Sequence, residues 1–140
     1  MVQYLNGATN ATSWNPVPSG PVQGICPAGW HLPTDAEWTT LTTYLGGESV
    51  AGGKMKETGT THWLSPNTGA TNSSGFTALP GGTRDYNGPF LTLTYYGYFW
   101  SASEYSTSLA WYRRIDYNYA AVYSYHSNKS YGFSARCLKN

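Results

Sequence analysis

Leu, Ile, Val and Phe fill only 21 of the 140 positions, too few for an ordinary aliphatic core. With a high net charge such a fraction would mark a disordered chain. Here the net charge is +1, and 13 Tyr, 6 Trp and 4 Phe supply the missing apolar area. Each aromatic side chain that is buried removes about 150–250 Å² from water, so a few Trp can anchor a fold. A chain of this length makes one domain, burying roughly 68–70% of the surface its unfolded form exposes. The composition therefore predicts a folded domain rich in aromatics and loops.

Charge acts by exclusion. Eight basic and seven acidic residues form no basic stripe for counterion-release binding, so nucleic acid is not an expected partner. No apolar run reaches 18 residues, so membrane insertion of this domain is not expected. Met1-Val2-Gln3-Tyr4 offers neither the basic nor the apolar region of a signal peptide. The abrupt polar start suggests a domain excised from a longer protein. Cys26 and Cys137 have no metal-ligand spacing. Two separate buried thiols would satisfy the sequence. So would one disulfide between the first ordered segment and the last strand, worth up to about 4.7 kcal/mol in the chain-entropy model.

The chain divides into an arm at 1–21, part of the same domain, and a body at 22–140. Pro16, Pro18 and Pro21 make the arm irregular, with Tyr4 and Trp14 as its expected anchors. Thr34-Asp35-Ala36-Glu37 is a capping box, and Pro33 blocks an earlier start. Trp38, Leu41 and Leu45 line one face and Gly46-Gly47 ends the run, predicting a helix over 34–45. A second short helix over 48–56 is opposed by Gly52-Gly53, at about 1 kcal/mol per Gly relative to Ala. Residues 58–98 carry turn chemistry every few positions. Strands are predicted at 99–103, 110–117, 121–125 and 132–138, with short connections that favour antiparallel pairing. One main helix on a small antiparallel sheet with long loops is an α+β arrangement.

Little in this pattern suggests catalysis. His31, His62 and His126 fall in separate segments without i, i+4 pairing. Asp35 and Glu37 could form a carboxylate dyad, but capping and the helix dipole account for both. Asp85 and Asn87 could ligate a hard cation, yet six or more oxygens would be needed. Ser101 and Ser103 with Glu104 lack a histidine base. No catalytic, metal or cofactor site is therefore expected.

Cys26-Pro-Ala-Gly-Trp-His-Leu-Pro-Thr-Asp-Ala-Glu-Trp38 resembles the opening signature of the Fibrobacter succinogenes major paralogous domain, widespread in Bacteroidetes surface proteins. The resemblance continues through Gly53-Lys54-Met55-Lys56, Gly75-Phe76-Thr77-Ala78-Leu79-Pro80-Gly81-Gly82, Phe99-Trp100-Ser101-Ala102-Ser103 and Gly132-Phe133-Ser134-Ala135-Arg136-Cys137, covering about residues 22–140. It implies a C-type-lectin-like fold, related to formylglycine-generating enzymes, and favours the Cys26–Cys137 disulfide. The paired redox cysteines of those enzymes have no counterpart here. The calcium-binding motifs of sugar-binding lectins are also missing, since Ser65-Pro66-Asn67 lacks its acidic partner. Tyr105 to Tyr131 is similar to the variable region of proteins diversified by retroelements, which mutate adenines, chiefly in Asn codons. Every residue from Tyr112 to Asn128 is reachable from such a codon.

Tyr117, Tyr119, Ala121, Tyr123 and Tyr125 alternate at period two, which in an extended chain puts them on one side. With Tyr112, Arg114, His126 and Tyr131 they are expected to form one exposed ligand-binding surface, with Trp100, Trp111, Val122 and Phe133 beneath. Tyr gives rigid contact area at low entropy cost while Ser and Asn adapt, as in antibody loops. The sequence thus points to a monomeric, non-enzymatic binding domain recognising a protein or glycan on a cell surface. The resemblance implies an extracellular, cell-surface or virion location. The alternatives are a glycan-active or formylglycine-generating-like enzyme and a structural cell-surface module.

Overall fold

A computed structural model describes residues 20–140; the expected arm, with Tyr4 and Trp14, lies almost wholly outside them. In chain order the elements are β1 (Trp30–His31), α1 (Asp35–Tyr44), α2 (Glu48–Met55), β2 (Thr83–Arg84), β3 (Phe90–Leu91), β4 (Tyr96–Glu104), β5 (Leu109–Asp116), β6 (Val122–Asn128) and β7 (Leu138–Lys139). They form an α+β fold with three antiparallel sheets: β1–β7, β2–β3 and β4–β5–β6.

The α1 signals act as their chemistry requires. Thr34 Oγ1 accepts from Glu37 N at 3.3 Å, and Thr34 N donates to Glu37 Oε2 at 2.8 Å. At the other end Gly46 N donates to Thr43 O and Gly47 N to Thr42 O, with both glycines at positive φ. That is a Schellman stop, in which glycine meets no Cβ penalty.

Contrary to propensity, α2 runs straight through Gly52-Gly53. The reason is close packing. A Cβ on Gly52 would lie 2.1 Å from Ala121 O, and one on Gly53 would lie 2.3 Å from Gly69 O. Only bare backbone lets α2 approach this near, and Gly53 N uses the proximity to donate to Ala120 O at 2.8 Å. A second departure concerns the C-terminus. The strand expected over 132–138 shrinks to Leu138–Lys139, preceded by isolated bridges from Gly132 to Arg84 and from Ser134 to Phe99. Ser134 N donates to Tyr98 O and Trp100 N to Ser134 O, so the segment makes a short parallel pairing along the edge of β4 in place of a full strand.

Two cores result. Trp38, Leu45, Ala51, Met55 and Trp63 pack with Phe99, Ile115 and Val122 between the helices and one face of β4–β5–β6. Val22, Cys26, Leu32, Trp100, Ala110 and Phe133 form the second, where a Cys26–Cys137 disulfide joins the two ends of the body. Buried Arg113 ties sheet to helix: it pairs with Asp35 Oδ1 at 2.5 Å and donates to Thr39 Oγ1 at 3.1 Å.

Candidate functional site

The strand register builds an aromatic face on the side of β4–β5–β6 away from the helices. Tyr98, Arg114 and Tyr123 stand abreast, as do Trp100, Tyr112 and Tyr125, while Tyr96 opposes Asp116. Directly paired residues share a face. At its centre Arg114 makes a bidentate pair with Asp116, Nε to Oδ1 at 2.8 Å and Nη2 to Oδ2 at 3.0 Å. The guanidinium lies 5.2 Å from each of the Tyr96, Tyr123 and Tyr125 ring centroids. Burial works against this charge, but the hydrogen bonds and charge of Asp116 raise the Arg114 pKa further. Burial also pushes the Tyr98, Tyr112 and Tyr123 phenols up, the Asp116 charge adding to the effect. These phenols are therefore hydroxyl donors at neutral pH.

One half of the face is sealed and the other open. Phe133 stacks on Trp100 at 4.3 Å and on Tyr98 at 4.8 Å, which leaves Trp100 fully buried. Beyond Phe133 the rings continue through Tyr131 to Tyr86. Toward β6, Tyr112 meets Tyr125 and Tyr125 stacks with Tyr123, and Tyr125 is exposed.

The connection at 117–121 borders this open half and is held mainly through its backbone. Thr68 N donates to Tyr117 O and Tyr117 N to Tyr95 O. Lys56, fully buried, donates from Nζ to Thr68 O, Asp116 O and Tyr119 O at 2.8–3.0 Å. Burial lowers its pKa to about 8, the Asp116 charge opposing the shift. Three carbonyls around one ammonium fix where Tyr119 is displayed.

The expected surface is thus divided. Tyr112, Arg114, Tyr123 and Tyr125 share the face, Tyr131 joins through Phe133, and Tyr119 projects from the bordering connection, 53% exposed. Tyr117 and Ala121 precede β6, so the period-two extrapolation does not reach them. Tyr117 packs against the helix-side core and edge-on to Tyr95, and Ala121 presents its backbone to Gly52. His126 is on the opposite side, paired in register with Trp111 and stacked on Tyr105 at 3.8 Å. Its parity is opposite to that of Tyr125. Val122 lies beneath as expected, whereas Trp100 and Phe133 are on the tyrosine side and cover it in part. Residue reasoning missed Tyr96, Tyr98, Asp116 and Tyr86. The Tyr-x-Tyr spacing at 96–98 matches that at 123–125 and would have found the first two.

The remaining candidate groups are engaged structurally. His31 is buried, with Nε2 2.9 Å from Glu37 Oε1 and Nδ1 2.6 Å from Asn140 Oδ1. His62 pairs with Glu57 at 2.8 Å. Asp85 Oδ1 accepts from Asn87 N at 3.0 Å, closing a turn. Among the described residues no three His, Cys, Asp or Glu side chains come together as a metal site.

Residues 4–139 match the Fibrobacter succinogenes major domain, and the chain belongs to this family. The match includes the N-terminal segment that the resemblance, read from its motifs, left out. No curated protein and no solved structure matches the chain. No helix among the described residues is long and apolar enough to cross a membrane.

Proposed function

We propose that this domain is a non-enzymatic binding module of C-type-lectin-like fold that recognises a protein or glycan on a cell surface through its tyrosine face. The observation that carries this is the open half of the face, where Tyr96, Tyr123 and Tyr125 surround a charge-compensated Arg114. Exposed aromatic clusters on soluble domains mark interaction sites, and neutral phenols add hydroxyl donors to rigid apolar area. Outside the cell, at a cell or virion surface, such a module would meet its ligand directly. A printed array of glycans and surface proteins probed with the labelled domain tests the proposal; specific retention is expected.

Retroelement diversification fits the same face. Within 112–128, Arg113, Ile115 and Val122 are buried and would be held constant by packing. Tyr119, Tyr123 and Tyr125 can change with least disturbance, whereas a change at Tyr112 touches the second core and one at Arg114 leaves buried Asp116 unpaired. Sequencing copies from related genomes should show substitutions concentrated at Tyr119, Tyr123 and Tyr125. An even spread would instead favour a structural spacer.

A further inference from the structure

A second concave site lies away from the tyrosine face and shares no residue with it. Pro33, Trp38, Leu41, Phe76, Arg136 and Leu138 line a cleft of about 310 Å³, with the Trp38 and Phe76 rings in contact at 5.8 Å. That is within the roughly 300–1,000 Å³ typical of small-molecule sites. The walls are preformed: α1 is capped at both ends, and Cys137 is tied to Cys26.

Two charged side chains line the cleft, and they are not equivalent. Both carboxylate oxygens of Glu37 are occupied, Oε1 by His31 and Oε2 by the Thr34 amide and hydroxyl. Arg136 is exposed, and none of the ion pairs among the described residues includes it. Its guanidinium rests 4.3 Å from the Phe76 ring centroid. An apolar floor thus meets a cation that lies over an aromatic ring and outside the ion pairs, while the Glu37 carboxylate is turned to His31 and Thr34.

We propose that this cleft binds a small organic acid, its ring or short chain seated on Trp38, Leu41 and Phe76 and its carboxylate on Arg136. The guanidinium fork matches a carboxylate in bidentate geometry. Because the guanidinium already rests over the Phe76 ring, part of its freedom is lost before the acid binds. A neutral ring would use only the floor, and acetate only the arginine.

The test is an NMR titration of the labelled domain with 3-phenylpropionate, 3-phenylpropanol and acetate, following the Trp38 Nε1–H and the backbone amides of 74–76 and 136–138. The acid is expected to saturate with a Kd on the order of 1 mM, with shifts confined to the cleft. The alcohol should bind about tenfold more weakly, and acetate should not saturate. Arg136→Gln should erase the preference for the acid, Arg136→Lys should retain part of it, and melting curves report whether each variant folds. Equal affinity for acid and alcohol, no saturable shift in the parent domain, or shifts on the tyrosine face instead would overturn the proposal. Should Arg136→Gln fail to fold, the acid–alcohol comparison on the parent domain decides.

Discussion

Replacing Gly52 with Ala should destabilise the domain, although the same change in an open helix would help by about 1 kcal/mol. The added methyl would sit 2.1 Å from Ala121 O, 2.5 Å from Ala121 C and 2.9 Å from Ala120 O. All three are backbone atoms, so no side-chain rotation relieves the clash. Ordinary contact begins near 3.4 Å, which forces α2 and the 120–121 backbone apart by about 1 Å. Overpacking of this kind costs about 1–3 kcal/mol. The separation also stretches the Gly53 N to Ala120 O bond, and a buried donor left unpaired costs about 1–3 kcal/mol more. After the propensity gain the net loss is about 1–5 kcal/mol, readable as a lower urea midpoint. Ser49→Ala, on the exposed side of the same helix, serves as control and should change stability by less than about 0.5 kcal/mol. A Gly52→Ala variant as stable as the parent would refute the packing account of α2.

Two further effects arise from α1 and its partners. Thr34→Ala removes the capping hydroxyl and should cost about 0.5–2 kcal/mol, whereas Trp38→Ala empties the helix-side core and should cost about 3–5 kcal/mol; urea titration of both checks the order. The His31–Glu37 pair should make stability pH-dependent on two flanks. Burial alone would lower the His31 pKa, but the Glu37 and Asn140 hydrogen bonds and the Glu37 charge raise it above 6.5; its contribution is full below 6.5 and fades as pH climbs through the raised value. Burial alone would raise the Glu37 pKa, but bonds from Thr34 and His31 bring it below 4.5; its contribution is full above 4.5 and fades as pH falls through the lowered value. Melting temperatures across pH 3–9 should therefore show both flanks, and Glu37→Gln should flatten them.

Local chemistry was the legible part of the sequence. The α1 boundaries follow from Thr34, Glu37 and Gly46-Gly47 because capping and left-handed stops are encoded within a few residues. The antiparallel order of β4, β5 and β6 follows from their short connections. What the sequence hides is long-range. Gly52-Gly53 looks like a helix breaker until Ala120 and Ala121 arrive from nearly seventy positions downstream. Phe133 alternates with Tyr131 as a strand residue would, but its segment meets β4 through an isolated parallel bridge at Ser134 that no short connection announces, and its ring seals Trp100. The candidate face was half legible. Period two placed Tyr123 with Tyr125 correctly and failed at Tyr117 and Ala121, where β6 has not begun. It could not reveal Asp116 as the partner of Arg114, although i, i+2 spacing in a strand permits that pair.

The central claim is that the tyrosine face binds a ligand while contributing little to the fold. Tyr119, Tyr123 and Tyr125 belong to neither core cluster, and their ring contacts are surface pairs worth about 0.2–1 kcal/mol each. Replacing all three with Ser should lower stability by about 1–2 kcal/mol, small beside the roughly 5–15 kcal/mol of a typical domain. The decisive measurement is surface plasmon resonance of parent and triple variant against the ligand that the array identifies, with melting curves run in parallel. The account predicts a folded variant that no longer binds. A folded variant binding as the parent does would contradict it, as would a variant that unfolds, since these tyrosines would then be part of the core.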